Sequence, residues 1–268
     1  MRHKLFELEH ELCQIAEDAG SVVMRIYEGQ SPSDATLANK ADDSPLTKAD
    51  LAAHQLLAER LTRLQPTMPV VSEEDADSIA QSMAEGSYWL IDPLDGTKEF
   101  LARNGEFTIN IALIANSEPV WGVVYAPALD QMFWGGRDYG SNRKQKRKID
   151  SIQVAAPVEP GMSYRVVASK SHLNAATSGF IEQLGATELV QVGSSLKFCT
   201  IAEGRADVYP RLAPTCEWDT AAAQAVLEGA GGCVYDTAGT RLRYGKPNCL
   251  NPSFIAASVA LSALRSGL

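Results

Sequence analysis

Between residues 69 and 136 the chain is a succession of short apolar runs, and this texture narrows the fold more than any other feature. PVVSEE begins at residue 69, YWLID spans 88 to 92, FTINIALIA 107 to 115, PVWGVVYAP 119 to 127 and QMFWGG 131 to 136. Runs of this length, rich in β-branched and aromatic residues, predict strands. The last three lie close enough in sequence to pair as an antiparallel meander, whereas parallel neighbours would need a long crossover.

Helical periodicity precedes that sheet. Leu5, Leu8, Leu12, Ile15, Ala19, Val22 and Ile26 recur three and four residues apart among acidic residues, which predicts an amphipathic helix with one buried stripe. Thr47 stands three residues before Asp50, and Leu51, His54, Leu57, Leu61 and Leu64 then run to Pro66. This predicts a second helix with a capped start and a proline stop, placing Asp50 in its first turn. The basic residues Arg143, Lys144, Lys146, Arg147 and Lys148 follow the meander and read as a solvated loop near a domain boundary. The division expected is residues 1–150 and 151–268. In the second part, strands (YRVVAS, ELVQVG, DVYPRL, CVYD) alternate with helices (ATSGFIEQL, SLKFCTIAEG, TAAAQAVLEGAGG), which predicts a layered α/β arrangement.

Charge and cysteine usage remove whole classes of function. A net charge of -9 argues against a dedicated nucleic-acid binder, because affinity for a phosphate backbone comes from many Lys and Arg contacts. An anionic substrate would need a local positive site. The five cysteines are widely spaced with no C-x-x-C pair, and they read as reduced thiols suited to the cytoplasm. The N-terminal MRHKLFELEHELCQ lacks the apolar core of a signal peptide, and no stretch reaches the ~18 apolar residues of a membrane span. No integral membrane segment is therefore expected, and a peripheral association with the inner membrane stays open.

Chemistry concentrates in WLIDPLDGTKEF at 89 to 100. An apolar strand delivers Asp92 and, three residues later, Asp95 at the expected start of a helix. Pro93 and Gly96 shape the backbone so that two carboxylates can converge. Magnesium takes oxygen ligands and retains waters, so a few carboxylates plus a substrate phosphate form a natural ligand set. The competing reading is that these acids only make an Asx-turn and a helix cap. Three further features weigh against it. Gly96, Thr97 and Lys98 follow directly, where backbone N–H groups can cradle phosphate. Glu73 and Glu74 end the strand beginning at Pro69, and Asp219 stands before the helix from Thr220.

These residues resemble the inositol monophosphatase-like superfamily of lithium-sensitive, metal-dependent phosphatases. Glu73-Glu74, Asp92-Pro93-Leu94-Asp95-Gly96-Thr97 and Trp218-Asp219 occur in the order of that family's motif. Within it, DPLDGTKEF, VGSSLKFC at 192 to 199 and EWDTAAAQAVLEGAGG at 217 to 232 are similar to the bacterial 3'(2'),5'-bisphosphate nucleotidases. Ala223 departs from the glycine that relatives often carry.

The resemblance implies an α-β-α-β-α layered sandwich of α/β class and two or three magnesium ions. Glu73, Asp92 and the Leu94 carbonyl would hold one ion, and Asp92, Asp95 and Asp219 a second. Asp50 and Thr97 would orient the attacking water, with the Gly96 and Thr97 amides on the scissile phosphate. Glu73, Leu94, Asp95, Gly96, Thr97 and Asp219 would thus line the phosphate site, while His172, Ser194, Lys197 and Arg211 would contact the nucleoside and its other phosphate. A small-molecule nucleotide bisphosphate is the partner implied. An inositol or sugar phosphatase and a non-catalytic metal-binding regulator remain as alternatives.

Overall fold

The computed structural model describes residues 2–29, 31, 35–39, 45–82, 86–159, 161–168, 174–260 and 264. Helix α1 (Arg2–Gly29) buries Leu12, Ile15, Ala16, Ala19 and Val23, so the stripe predicted through Val22 shifts by one residue toward the end of the helix. A short antiparallel pair, β1 (Thr36–Asn39) and β2 (Pro45–Thr47), leads into α2 (Lys48–Leu64). Arg60 of α2 meets Asp18 of α1 at 2.8 Å.

The strands predicted between 69 and 136 all form. They are β3 (Val70–Ser72), β4 (Ser87–Asp95), β5 (Thr108–Ala115), β6 (Glu118–Ala126) and β7 (Gln131–Gly136). Helix α3 (Ile79–Ser82) links β3 to β4, and α4 (Thr97–Leu101) follows β4. The basic run is exposed at Lys146, Arg147 and Lys148, as expected, but it is a correction in that it forms a hairpin, β8 (Gly140–Gln145) and β9 (Lys148–Ile152), rather than a loop. Lys146 and Arg147 take φ of 47° and 67° at the turn, as a tight two-residue hairpin requires. Arg143 pairs with Glu203 at 2.7 Å and Lys144 with Glu17 at 2.5 Å, which ties the hairpin to the rest of the chain. The seven-stranded sheet has the order β3-β4-β5-β6-β7-β8-β9, with only β3 and β4 parallel.

Both faces of this sheet are covered, which is why β5 is buried along its whole length. Trp89, Ile91, Ile109, Ile111, Trp121 and Val123 face α1 and α2. The alternate residues Leu90, Ala112, Ile114, Val124 and Phe133 face α6 (Leu196–Ala202) and α7 (Ala221–Gly229), introduced after β10 (Tyr164–Ala168), α5 (Ala175–Gln183) and β11 (Thr187–Gln191). Contact with α7 is close enough to demand glycine in β6. A Cβ at Gly122 would lie 2.4 Å from the Ala222 carbonyl oxygen.

A second sheet lies on the far side of α6 and α7. Its order is β11-β10-β12-β16-β14, with β12 (Val208–Arg211), β14 (Cys233–Asp236) and β16 (Phe254–Ala257) antiparallel where they adjoin. A small pair, β13 (Thr215–Cys216) and β15 (Leu250–Asn251), stands beside it. Val166, Val208 and Ile255 pack outward against Phe180 and Ile181 of α5. The layers therefore run α1/α2, seven-stranded sheet, α6/α7, five-stranded sheet, α5, which is the α-β-α-β-α sandwich expected. Among the described residues no helix is long and apolar enough to cross a membrane.

Candidate active site

β4 carries the Asp-Pro-Leu-Asp segment to its own end. Asp92 faces Asn110 and Asp95 faces Thr108 across the ladder to β5, so β4 has one residue more than its partner over that interval. Such a bulge bends a strand and re-aims its side chains, and Pro93, which has no N–H to give, suits the break in pairing. Asp92 is buried and its Oδ1 accepts from the Leu94 amide at 3.0 Å, the Asx-turn weighed above.

Asp95 is no helix cap. The N-cap of α4 is Gly96, at φ 89° and ψ 45° with no side-chain capping bond, a conformation for which glycine is the natural residue. Instead Asp95 Oδ2 accepts from the Ser195 amide at 2.6 Å and the Ser195 hydroxyl at 2.7 Å, with Thr108 Oγ1 at 3.3 Å and Asn110 Nδ2 at 3.4 Å. A carboxylate held by several donors is fixed in place.

Asp50 forms the capping box read from its sequence position and also faces Thr97. It completes a capping box with Thr47, whose amide and hydroxyl approach Oδ2 at 2.8 and 2.5 Å. Its Oδ1 faces Thr97, whose hydroxyl lies 3.5 Å away and 3.4 Å from the Leu94 carbonyl. Asp50 is fully buried, so this contact joins α2 to the turn at the end of β4.

Glu73 sits in the turn after β3, its amide donating to the Ile91 carbonyl at 3.3 Å. Asp219 precedes α7, with Oδ2 accepting from the Cys216 amide at 2.8 Å. Burial, then the charges of Asp95 and Glu73, push the Asp219 carboxyl well above the usual carboxylate range. The Cys216 thiol is likewise raised by burial and by Asp219, Glu73 and Asp92. Four acids from β3, β4 and the start of α7 thus repel one another across a small volume. Among the described residues no three acidic, histidine or cysteine side chains are already drawn together as a finished metal cage. The donors are all hard oxygens, and the crowding of their charge is what a divalent cation would relieve.

A pocket of about 150 Å³ opens beside these acids, lined by Asp95, Gly96, Glu99, Ser194, Lys197, Arg211 and Asp219. Lys197 Nζ donates to the Ser194 carbonyl at 2.7 Å and stands 5.8 Å from the Tyr209 ring centroid. Burial lowers the Lys197 pKa and neighbouring Arg211 adds to this, while Asp95, Glu99 and Asp219 oppose the shift. Arg211 Nη2 donates to the Pro214 carbonyl at 3.0 Å. Ser194 is buried, takes φ 44°, and its hydroxyl has no hydrogen-bond partner among the described residues. His172 lies outside the described residues. Reading the sequence missed Ser195, Thr108, Asn110 and Glu99. Ser195 adjoins the Ser194 already singled out, but nothing local reveals that its partners are distant.

With this geometry in hand, the class follows: the chain belongs to the inositol monophosphatase family, whose profile matches residues 5–266. Among individual proteins, it is 44% identical over 245 residues to the 3'(2'),5'-bisphosphate nucleotidase CysQ of Salmonella typhimurium, covering 91% of this chain and 97% of that one. The crystal structure of CysQ from Bacteroides thetaiotaomicron superposes with a TM-score of 0.76 at 39% identity, over 91% of this chain and 95% of its own. The inositol monophosphatase of Anabaena shares the fold at a TM-score of 0.73 and 22% identity, over 99% of this chain and 96% of that one.

Proposed function

We propose that this chain is a magnesium-dependent 3'(2'),5'-bisphosphate nucleotidase that releases the 3'-phosphate of 3'-phosphoadenosine 5'-phosphate to give AMP. The likeness to the CysQ nucleotidases, at 44% identity along nearly the whole chain, supports the activity. The observation that carries the substrate is one pocket that holds two cations, Lys197 and Arg211, directly beside the acids Asp95 and Asp219. One phosphate can then lie at the acids while a second meets the cations, an arrangement that a monophosphorylated polyol would leave half used.

Glu73, Asp92, Asp95, Asp219 and the Leu94 carbonyl would hold two or three magnesium ions. Bound there, the metal supplies Lewis-acid polarisation of the phosphate and lowers the pKa of water. The Gly96 and Thr97 amides, at the start of α4, orient the scissile phosphate. Asp50 Oδ1 and Thr97 Oγ1, 3.5 Å apart, position the attacking water. The buried Asp50 carboxylate, facing the Thr97 hydroxyl, takes up the proton that the water releases. Ser194, Lys197 and Arg211, together with His172, bind the nucleoside and its 5'-phosphate. The division expected at 150/151 falls inside β9, and the end of the seven-stranded sheet at Ile152 favours a boundary just after it, between a part bearing most metal-side acids and a part bearing Asp219 and the nucleotide contacts. Five free thiols suit the reducing cytoplasm as the site of action.

Asp92→Asn tests the metal assignment, because a neutral amide cannot serve two cations as a carboxylate does. Loss of such an element costs on the order of 10²-fold or more in turnover. The variant should fold normally, as judged by circular dichroism, and near wild-type turnover in magnesium would refute the assignment.

A further inference from the structure

Ser195 occupies a position that neither the motif nor the pocket explains. It lies in the second part of the chain, at the N-cap of α6, and is 1% exposed. Its amide and hydroxyl both give to Asp95 Oδ2, at 2.6 and 2.7 Å. The same hydroxyl lies 2.8 Å from the backbone carbonyl of Asp219 and receives the Asn110 amide at 2.9 Å. One oxygen therefore touches the end of β4, the middle of β5 and the start of α7, three elements that no hydrogen-bond ladder joins to one another all at once.

A hydroxyl has a single proton and two acceptors compete for it here. The carboxylate is charged and makes the stronger bond, so Asp95 receives the proton and the Asp219 carbonyl stands ready as the alternate acceptor. Both arrangements keep Asp95 and the Asp219 backbone at one separation. Ser194, directly before it, and Lys197, two residues after it, line the pocket.

We propose that Ser195 is a positioning residue that sets the spacing between Asp95 at the end of β4 and Asp219 just before α7, and so the affinity of the acid cluster for its divalent cation. This rests on the reading of Asp95 and Asp219 as metal-side acids. Outer residues that orient metal-holding carboxylates commonly account for about 10- to 100-fold in metal affinity.

The test is direct titration of magnesium chloride into the full chain by calorimetry, with thermal unfolding of the metal-free protein alongside. Ser195→Ala keeps the amide bond and loses all three hydroxyl contacts, and should weaken magnesium binding roughly tenfold or more. Ser195→Thr, which restores a hydroxyl, should bind close to wild type. Ser195→Cys keeps the volume but offers only a weak donor; it carries the same expectation as alanine and serves if the alanine variant does not fold. A residue with a purely structural role would lower the metal-free Tm and leave the magnesium Kd unchanged, and that result overturns the proposal. Asp95→Asn separates the two levels. If wild type binds no magnesium, or Asp95→Asn binds it equally well, the metal reading itself falls and the role of Ser195 with it.

Discussion

Replacing Lys197 by methionine isolates the second phosphate of the substrate. Methionine keeps most of the stem that packs near Tyr209 and removes only the ammonium, which now donates to the Ser194 carbonyl at 2.7 Å. A hydrogen bond between charged groups contributes about 1.5 to 3 kcal/mol net, so losing it should cut kcat/KM for 3'-phosphoadenosine 5'-phosphate about 10- to 150-fold. Lys197 is half-buried, so solvent screens the pair in part and the middle of that range is expected. 3'-AMP has no 5'-phosphate, and its kcat/KM should change far less. Burial also lowers the Lys197 pKa, with Arg211 adding to the effect. The protonated form that phosphate needs is then depleted at a lower pH than for an ordinary lysine. KM for the bisphosphate should therefore climb on the alkaline side in wild type but stay flat in Lys197→Met. Phosphate-release kinetics on both substrates decide the matter: equal losses on the two would show that Lys197 does not bind the 5'-phosphate.

Two further perturbations follow from the geometry. Gly122→Ala places a Cβ 2.4 Å from the Ala222 carbonyl oxygen, and overpacking of this kind costs about 1 to 3 kcal/mol. Calorimetry should show Tm several degrees lower, and an unchanged Tm would contradict the close packing of β6 against α7. Asp219 titrates above the usual carboxylate range because of burial, Asp95 and Glu73. The folded metal-free protein thus binds this proton more tightly than the unfolded chain, so the stabilisation is full at low pH and is lost as pH rises toward the folded value. Magnesium takes the place of the proton, so the gain in Tm on adding it should grow with pH across that window, and a gain independent of pH would refute the shift.

The strands were legible where the chain has β-branched and aromatic runs between turns, as at 107 to 136, and where helical periodicity is long, as in α1. The hairpin of β8 and β9 was hidden because its strands are charged and its turn uses Lys146 and Arg147 instead of the usual Asn-Gly. Its basic side chains find Glu17 and Glu203, partners that only the fold supplies. β16 is the four residues FIAA, too short for alternation to declare itself, though it holds β12 and β14 together. At the site, Asp92, Asp95, Glu73 and Asp219 could be picked out because four acids, each at the end of an apolar strand or the start of a helix, are hard to attribute to capping alone. That Gly96, not Asp95, caps α4 depends on the bulge in β4, which pairing with β5 creates. Ser195 was invisible for a simpler reason: its partners Asp95 and Asn110 lie 100 and 85 residues away.

The central claim is that the acids hold a metal beside a pocket built for a second phosphate. Phosphate release from 3'-phosphoadenosine 5'-phosphate and from inositol 1-phosphate, measured side by side with magnesium and again after chelation, tests it most directly. The bisphosphate should be hydrolysed with much the higher kcat/KM, and chelation should abolish turnover reversibly. Preference for inositol 1-phosphate, or turnover that survives chelation, would contradict it.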